Sequence, residues 1–340
     1  MTTINMRQWV QSIIDGDKRK AIPIMTHPGI EFINKKVSEA VCDGKIHFEA
    51  IKALDERYPA AACCTIMDLT VEAEAFGADV IIPEDEIPTV TGRLLSTHDD
   101  VVNLHIPSLG QARLPEFIRV CKLAADNIKG KPVLGGVIGP FSLAGRLYDM
   151  SELMIACYCE PETATLLLSK CTDFLKGYCL ELKKQGIQGI LMAEPAAGLL
   201  SNEGCSEFSS RYIKEIVDFV QDDSFIVVLH NCGNTGHCTE AMVETGAIGY
   251  HFGNKIDMVE ALKGSPGNCL VLGNLDPVSI FKSASKAEVT DATNRLLKAT
   301  TGYSNFILSS GCDIPPHIPL ENVDAFYDAL REFNKNNGFD

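Results

Sequence analysis

Short apolar segments alternate with longer segments of helical periodicity along nearly the whole chain. The apolar segments run without polar breaks, as expected of parallel strands that are buried on both faces. Repeated strand–helix units of this kind predict either a closed barrel or a doubly wound sheet. The predicted strands are Ala21–Met25, Ala62–Met67, Val80–Pro83, Val133–Ile138, Gly189–Glu194, Phe225–His230, Gly249–Phe252, Leu270–Asn274 and Phe306–Ser310. The predicted helices are Met6–Asp15, Phe48–Arg57, Leu114–Ile128, Pro161–Gln185, Glu207–Val220, Ala241–Thr245, Lys286–Ala299 and Leu320–Asn334.

Polar residues at the ends of the predicted strands favour one of these two folds. Each of five residues lies at, or just after, the carboxyl end of a strand: Glu194, His230, His251, Asp276 and Cys312. A (β/α)8 barrel gathers these ends into one mouth, whereas an open sheet spreads them along an edge. The pattern therefore predicts an α/β fold, a TIM barrel. We expect one domain over residues 1–340, with residues 1–19 as an N-terminal helical extension.

The composition is that of a globular protein and narrows the range of partners. With 46% hydrophobic and 22% charged residues, the 340-residue chain has enough apolar side chains for a large core. Its net charge of −15 disfavours binding to nucleic acid or to an anionic membrane. The 13 cysteines are odd in number and irregularly spaced, unlike a secreted disulfide framework. Because no apolar leader and no run of about 18 apolar residues is present, we expect a cytoplasmic protein without a membrane span.

One histidine and two cysteines stand out among the strand-end residues. His230 and Cys232 are two positions apart, so on a strand their side chains point to the same side. Cys312, after a later strand, can complete a set of one imidazole and two thiolates, which suits Zn²⁺. Three protein ligands leave the fourth position open, as in catalytic zinc sites. His237 and Cys238 offer alternative ligands, but they begin the following helical stretch and point away from the strand end.

The chemistry of such a site favours a thiol substrate. A thiol that binds to zinc in the open position loses its proton and remains a nucleophile, so the natural reaction is alkyl transfer to sulfur. Zinc can instead acidify water for hydrolysis, but that use needs a well-placed general base.

Four segments of the chain resemble the uroporphyrinogen decarboxylase superfamily, and within it the branch of methylcobamide:coenzyme M methyltransferases. They are Leu229–Thr235, Gly273–Pro277, Ser309–Pro316 and Asp68–Ala78, and the likeness extends over about residues 20–335. The resemblance implies a TIM barrel with His230, Cys232 and Cys312 as zinc ligands. It also implies transfer of a methyl group from a methylated corrinoid protein to a zinc-activated thiol such as coenzyme M. Since the chain contains no Asp-x-His-x-x-Gly corrinoid-binding motif, the corrinoid is expected to arrive on a separate protein.

Two departures from the superfamily keep other functions open. The decarboxylases hold a tetrapyrrole with N-terminal arginines and an aspartate, but the corresponding strand end here, Ile24–Gly29, contains no arginine. The methyltransferases place a glutamate after the strand that follows the His-x-Cys motif, but Tyr250–Lys255 contains no carboxylate. Glu194, His251 or water is then expected at the fourth zinc position. The alternatives are a tetrapyrrole decarboxylase and a non-catalytic accessory protein that binds a corrinoid or a thiol.

Two carboxylates are candidate catalytic residues. Glu194 ends an apolar strand and precedes a proline, where the branch commonly has an acidic residue, and its alternative role is to cap the next helix. Asp276 lies in an Asn-Leu-Asp-Pro turn and can either orient a zinc ligand or cap a helix.

Overall fold

The computed structural model describes residues 4–339. Its strands are β1 Cys63–Cys64, β2 Asp79–Ile81, β3 Thr89–Thr91, β4 Val133–Ile138, β5 Gly189–Ala193, β6 Ile226–Asn231, β7 Gly249–Phe252, β8 Leu270–Leu275 and β9 Phe306–Ser310. β1 and β4 to β9 form one seven-stranded parallel sheet whose order follows the chain. The TIM-barrel fold predicted from the sequence is confirmed.

The segment of residues 15–25 closes the ring between β9 and β1. The amide of Ile22 donates to the carbonyl of Leu308 at 3.0 Å, and the amide of Ala61 donates to the carbonyl of Ala21 at 2.8 Å. Only one parallel bridge forms in this segment, so the strand predicted there is shorter than expected. The reason is Pro23, which has no amide hydrogen with which to continue the ladder.

Helices surround the strands. Their bounds are α1 Met6–Ile14, α2 Thr26–Phe32, α3 Val37–Cys42, α4 Gly44–Arg57, α5 Val71–Phe76, α6 His98–Asn103, α7 Leu114–Asn127, α8 Pro140–Tyr148, α9 Met150–Cys159, α10 Pro161–Lys184, α11 Asn202–Cys205, α12 Arg211–Val220, α13 Thr239–Glu244, α14 Met258–Lys263, α15 Lys286–Ala299 and α16 Leu320–Asn336. A 3₁₀ segment spans Pro195–Leu199, and π-helical segments span Ser206–Ser210 and Pro277–Lys282. The predicted strand Val80–Pro83 overlaps β2, which pairs with β3 in an antiparallel hairpin outside the barrel sheet.

The N-terminal helix α1 closes the lower end of the barrel. Its apolar face, formed by Met6, Val10 and Ile13, is buried in one cluster with side chains from the beginnings of the strands, such as Leu134 and Ile226. An amphipathic helix of this kind gains its stability from the apolar face that it buries. Residues 1–3 of the predicted extension, and residue 340 of the predicted domain, lie outside the described residues.

One buried carboxyl group lies beneath the barrel mouth. Glu72 of α5 is 2% exposed, and its Oε1 accepts a hydrogen bond from the amide of Ile138 at 3.0 Å. Its Oε2 has no hydrogen-bond partner among residues 4–339. Burial raises the pKa of Glu72 from 4.5 to about 7, because the charged form loses its hydration.

We expect Glu72→Gln to flatten the pH dependence of stability. The pKa of Glu72 is higher in the folded state than in the unfolded state, so its contribution to stability is complete below pH 4.5 and is lost as the pH rises towards about 7. The loss corresponds to about 3 kcal/mol of unfolding free energy. Urea denaturation at pH 5 and pH 8 measures this difference. Glu332→Gln, at an exposed position, is the matched control. If the unfolding free energy changed equally between pH 5 and pH 8 in both variants, the raised pKa of Glu72 would be contradicted.

Candidate metal centre

The structure brings the predicted metal ligands together at the barrel mouth. His230 lies in β6 and Cys232 directly follows that strand, whereas Cys312 lies two residues after the end of β9. One ligand atom from each of the three residues lies within 4.8 Å of the others. Within the described part of the chain, no carboxylate belongs to this group. The His-x-Cys spacing therefore acts as expected, with both side chains on one side of the strand end.

Two local features fix the turn that carries Cys232. The side-chain oxygen of Asn231 accepts hydrogen bonds from the amides of Gly233 and Asn234, each at 3.0 Å. This side-chain-to-backbone pattern holds the chain in a tight turn around Cys232. Gly253 lies so close to that turn that a Cβ there would approach the Cα of Cys232 to 2.7 Å. A larger residue at this position would therefore displace the cysteine.

A chain of hydrogen bonds determines which nitrogen of His230 carries the proton. The hydroxyl of Ser309 donates to the carbonyl of Ile22 at 2.7 Å, so its oxygen accepts from Nε2 of His251 at 2.8 Å. With its proton on Nε2, His251 offers Nδ1 as an acceptor to Nδ1–H of His230 at 2.7 Å. Burial, followed by the neighbouring His230, holds the pKa of His251 well below its usual range, which keeps His251 neutral. The lone pair of His230 is therefore on Nε2.

The donor set fits zinc. Nε2 of His230 is buried and has no hydrogen-bond partner within residues 4–339, which leaves its lone pair available to an ion. A hydrogen bond from Cys312 lowers the pKa of Cys232, and the charge of Lys255 lowers it further. The same contact, together with burial, raises the pKa of Cys312. The site therefore offers one imidazole lone pair beside two sulfur atoms that share a proton. When that proton is released, one nitrogen and two thiolates remain, and this is a ligand set that zinc binds.

Glu194 is oriented away from these three residues. It is 1% exposed, and its two carboxyl oxygens accept from the amides of Phe141 at 2.9 Å and Ser142 at 2.6 Å. These amides lie in the first turn of α8, which follows β4, so the carboxyl group caps a helix that precedes it in the chain. The alternative role expected from the sequence was a cap on the next helix, but the side chain makes no capping hydrogen bond to the segment Pro195–Leu199 that follows Glu194. Burial raises the pKa of Glu194 to about 7. Its catalytic role stays a prediction.

Asp276 also holds a helix start. Its Oδ1 accepts from the amides of Val278 at 2.8 Å and Ser279 at 2.9 Å, and its Oδ2 accepts from the side chain of Asn254 at 2.6 Å. Asn254 in turn lies against Gly311, where a Cβ would come within 2.7 Å of the Asn254 nitrogen. Asp276 thus supports the turn that precedes Cys312 through one intermediate residue, and its catalytic role stays a prediction.

The alternative ligand pair points elsewhere. Nε2 of His237 lies 3.0 Å from the carbonyl of Leu200, and Sγ of Cys238 donates to the carbonyls of Leu200 at 3.5 Å and Ala197 at 3.7 Å. Both side chains are therefore used to hold the loop that follows β5, as their position in the sequence indicated.

Sequence reasoning missed a polar pair beside Cys312. Nδ1 of His27 lies 3.1 Å from the carbonyl of Ile314 and 3.5 Å from Oδ2 of Asp313. Nε2 of His27 and Oδ1 of Asp313 are buried without partners among the residues that the structure describes. The segments that contribute the pair are far apart in sequence, and only the barrel closure brings them together.

Comparison with known families identifies the chain. A family model described as uroporphyrinogen decarboxylase (URO-D) matches residues 18–333. The chain belongs to the uroporphyrinogen decarboxylase family. This assignment confirms the superfamily predicted from the sequence, and the chain is an enzyme of that superfamily.

Individual relatives come from both branches of the family. A methylcobamide:CoM methyltransferase, MtbA, from Methanosarcina acetivorans is 28% identical over 279 residues, which are 78% of each chain. A uroporphyrinogen decarboxylase from Legionella pneumophila is 27% identical over 288 residues, 82% of this chain and 80% of the relative. A solved methyltransferase from Methanosarcina mazei superimposes with a TM-score of 0.86 at 21% identity, over 97% of this chain and 99% of that one. The structural likeness supports the barrel fold.

None of the described helices is both long and apolar enough to cross a membrane.

Proposed function

We propose that the protein is a zinc-dependent methyltransferase that moves a methyl group from a methylated corrinoid to a thiol such as coenzyme M. The observation that carries this proposal is the grouping of His230, Cys232 and Cys312 within 4.8 Å, with Nε2 of His230 buried and unpartnered among the described residues. The similarity to methylcobamide:CoM methyltransferases supports it. We infer that a separate corrinoid protein presents the methyl donor.

His230, Cys232 and Cys312 would hold the zinc ion. Zinc at this position would lower the pKa of a bound substrate thiol, so that the sulfur is a thiolate at neutral pH. In the proposed transfer the substrate sulfur would form a bond to the methyl carbon as the methyl–corrinoid bond of the donor breaks. The electron pair of that bond would remain with the corrinoid, and the thiol proton would be released. The transfer depends on proximity, because sulfur and methyl carbon must meet in line at the barrel mouth.

The chain's own residues prepare the site for this step. His251 and Ser309 fix His230 in the tautomer that directs Nε2 towards the cysteines. We propose that Glu194 acts as a positioning residue, because its carboxyl group holds the start of α8 against the end of β5. Asp276 has the same role for the turn before Cys312. With both carboxylates in use, we propose that the fourth zinc position is left to water and then to the thiol.

A decarboxylase acting on a tetrapyrrole with many carboxylates is less well supported. The chain at the end of the closing segment, from Met25 to Gly29, contains no arginine, and its histidine, His27, lies 3.5 Å from the carboxylate of Asp313. The guanidinium of Arg113 forms ion pairs with Asp68 and Glu74, so it is not available to substrate carboxylates.

Metal analysis combined with a methyl-transfer assay tests the proposal. We expect about one zinc ion per chain, as in single-site zinc enzymes, and conversion of methylcobalamin and a thiol to the methyl thioether. Uroporphyrinogen is the rival substrate in a parallel assay. Release of carbon dioxide from uroporphyrinogen by metal-free protein would support the decarboxylase instead. Zinc binding without methyl transfer to the thiol and without decarboxylation of uroporphyrinogen would support an accessory protein.

We expect His251→Phe to weaken zinc binding by about 10- to 100-fold, the usual effect of removing a residue that orients a metal ligand. Phenylalanine keeps the buried ring volume but removes the acceptor of the His230 Nδ1–H bond, so the proton is free to move to Nε2. Competition with a chromophoric chelator measures the affinity. Ser309→Ala removes only the hydrogen bond between Ser309 and His251, so it should have a smaller effect. Unchanged zinc affinity in folded His251→Phe would contradict the role given to this hydrogen-bond chain.

A further inference from the structure

A groove at the lower end of the barrel is lined by an excess of positive charge. It lies between the closing segment and the C-terminal part of α16, and its volume is about 600 Å³. Five of its eleven lining residues are basic, namely Lys18, Arg19, Lys20, Arg331 and Lys335, and none of the described lining residues is acidic. The chain as a whole has 45 acidic and only 30 basic residues, so this lining reverses its average composition.

The amino groups in this groove have no carboxylate partners. Within residues 4–339, no carboxylate oxygen lies within 4.0 Å of Nζ of Lys18, Lys20 or Lys335, and none of these groups donates a hydrogen bond to a described residue. The guanidinium of Arg331 contacts Asp328 at 2.8 Å on the exposed surface of α16. Like charges that converge without counterions repel one another, so an anion bound between them lowers the free energy.

Hydrogen bonds hold the two walls of the groove against each other. The amide of Arg19 donates to Oδ1 of Asn334 at 2.8 Å, and Nδ2 of Asn334 donates to the carbonyl of Arg19 at 3.0 Å. The guanidinium of Arg19 donates to the carbonyls of Tyr303 at 2.6 Å and Thr300 at 2.9 Å, just after the end of α15. Because the walls are already fixed, a ligand does not have to order them, which favours binding.

The rest of the lining is mainly apolar. Ala21, Tyr327 and Leu330 are buried, whereas Pro59 is exposed and Phe339 is partly buried. A combination of apolar side chains with a few charged groups is typical of sites for small organic ligands, and the volume lies within their usual range of about 300–1,000 Å³. The apolar side chains can contact a flat ring of the ligand while its charged end meets the lysines.

We propose that this groove binds a phosphorylated small molecule of the nucleotide class. The phosphates lie between Lys18, Lys20 and Lys335. The ring packs against Leu330 and Phe339. Several convergent cations match a diphosphate, which carries more than one negative charge, better than they match a singly charged acid. A diphosphate beside a flat ring occurs both in free nucleotides and in dinucleotide cofactors. The site is independent of the proposed methyl transfer and uses none of the residues assigned to the metal centre.

The position of the groove predicts an effect on stability rather than on catalysis. The amide of Leu308 in β9 donates to the carbonyl of Lys20 at 3.0 Å, so a ligand that holds Lys20 also holds the closing segment against β9. The groove lies towards the beginnings of the strands, whereas the candidate metal centre lies at their ends. In a TIM barrel the first of these faces contributes to stability and the second carries the chemistry. A bound nucleotide should therefore raise the melting temperature without competing with the thiol substrate, and thermal scans with and without ADP measure the shift.

Calorimetric titration of the full-length zinc protein with ADP tests the proposal. We expect ADP to bind at about 150 mM salt, where distant surface charges are largely screened. The double variant Lys20→Met/Lys335→Met should weaken this binding at least about 10-fold, as for loss of charged hydrogen bonds. Lys282→Met/Lys286→Met removes the same charge near the start of α15 and is the matched control, and because all four lysines are exposed, both variants should fold. No binding of ADP up to about 1 mM, or unchanged binding in Lys20→Met/Lys335→Met, would overturn the proposal.

Smaller and larger probes identify the ligand. Pyrophosphate and adenosine each contain one part of the proposed ligand, so each should bind more weakly than ADP, and equal binding of pyrophosphate would overturn the role given to the ring. Titration with NAD⁺ separates a free nucleotide from a dinucleotide cofactor, since the tighter of the two ligands identifies the source. Preferential binding of oligoadenylate over ADP would assign the groove to nucleic acid and overturn the proposal. Binding of ADP in a protein that transfers no methyl group would support the groove and remove only the proposed function.

Discussion

Replacement of Cys312 by serine is expected to weaken zinc binding by at least about 1000-fold and to abolish methyl transfer to a thiol, because a thiolate ligand is lost from a three-ligand site. A serine hydroxyl keeps its proton near neutral pH and is a poor partner for zinc. Sγ of Cys312 lies within 4.8 Å of the ligand atoms of His230 and Cys232, and no carboxylate of the described residues belongs to the group that could replace it. Elemental analysis and chelator competition measure the loss.

A second cysteine provides the matched control for this experiment. Cys269 is buried, and its Sγ donates to the carbonyl of Ala247 at 3.7 Å, so a serine there keeps a hydrogen bond of the same kind. Cys269→Ser should keep its zinc and its activity. Cys312→Ser should unfold at a similar temperature to Cys269→Ser when both are metal-free, because Cys312 lies in a turn beyond the end of β9. Full zinc content in folded Cys312→Ser would contradict the proposed ligand set.

The fold was largely predictable because parallel strands that are buried on both faces consist of uninterrupted apolar residues. Val133–Ile138 and Phe306–Ser310 have the bounds that the sequence predicted. The segment Pro140–Cys159 was missed, although it forms α8 and α9. Nearly every residue of α8 is buried, so the helix has no polar face, and the periodicity that identifies a helix is absent.

The candidate site was predictable only where the geometry is local. The i, i+2 relationship places His230 and Cys232 on one side of β6 without any knowledge of neighbouring strands. The hydrogen bond between His230 and His251 depends on the register of β6 against β7, in which these two residues are directly paired. The register of neighbouring parallel strands is set by the packing of the whole barrel. It therefore cannot be predicted from a local sequence motif. The capping contacts of Glu194 depend likewise on how α8 leaves β4.

The second large effect is expected from the ion-pair network around Arg113. The guanidinium of Arg113 contacts Oδ2 of Asp68, Oε2 of Glu74 at 2.6 Å and Oγ1 of Thr70 at 2.7 Å. The side chain of Asp68 is fully buried, whereas that of Glu74 is 23% exposed. Arg113→Met should therefore lower the free energy of unfolding by about 3–5 kcal/mol, because it leaves a buried carboxylate without its cation. Urea denaturation at pH 7 measures the change.

The double variant Arg113→Met/Asp68→Asn separates the charge from the packing. If the cost of Arg113→Met is the uncompensated charge of Asp68, the neutral amide should restore most of the lost stability, since removal of both charges of a buried pair is often nearly neutral. Glu74→Gln should have a much smaller effect, because its partly exposed carboxylate remains hydrated when unpaired. Equal losses in the single and double variants would instead assign the effect to packing.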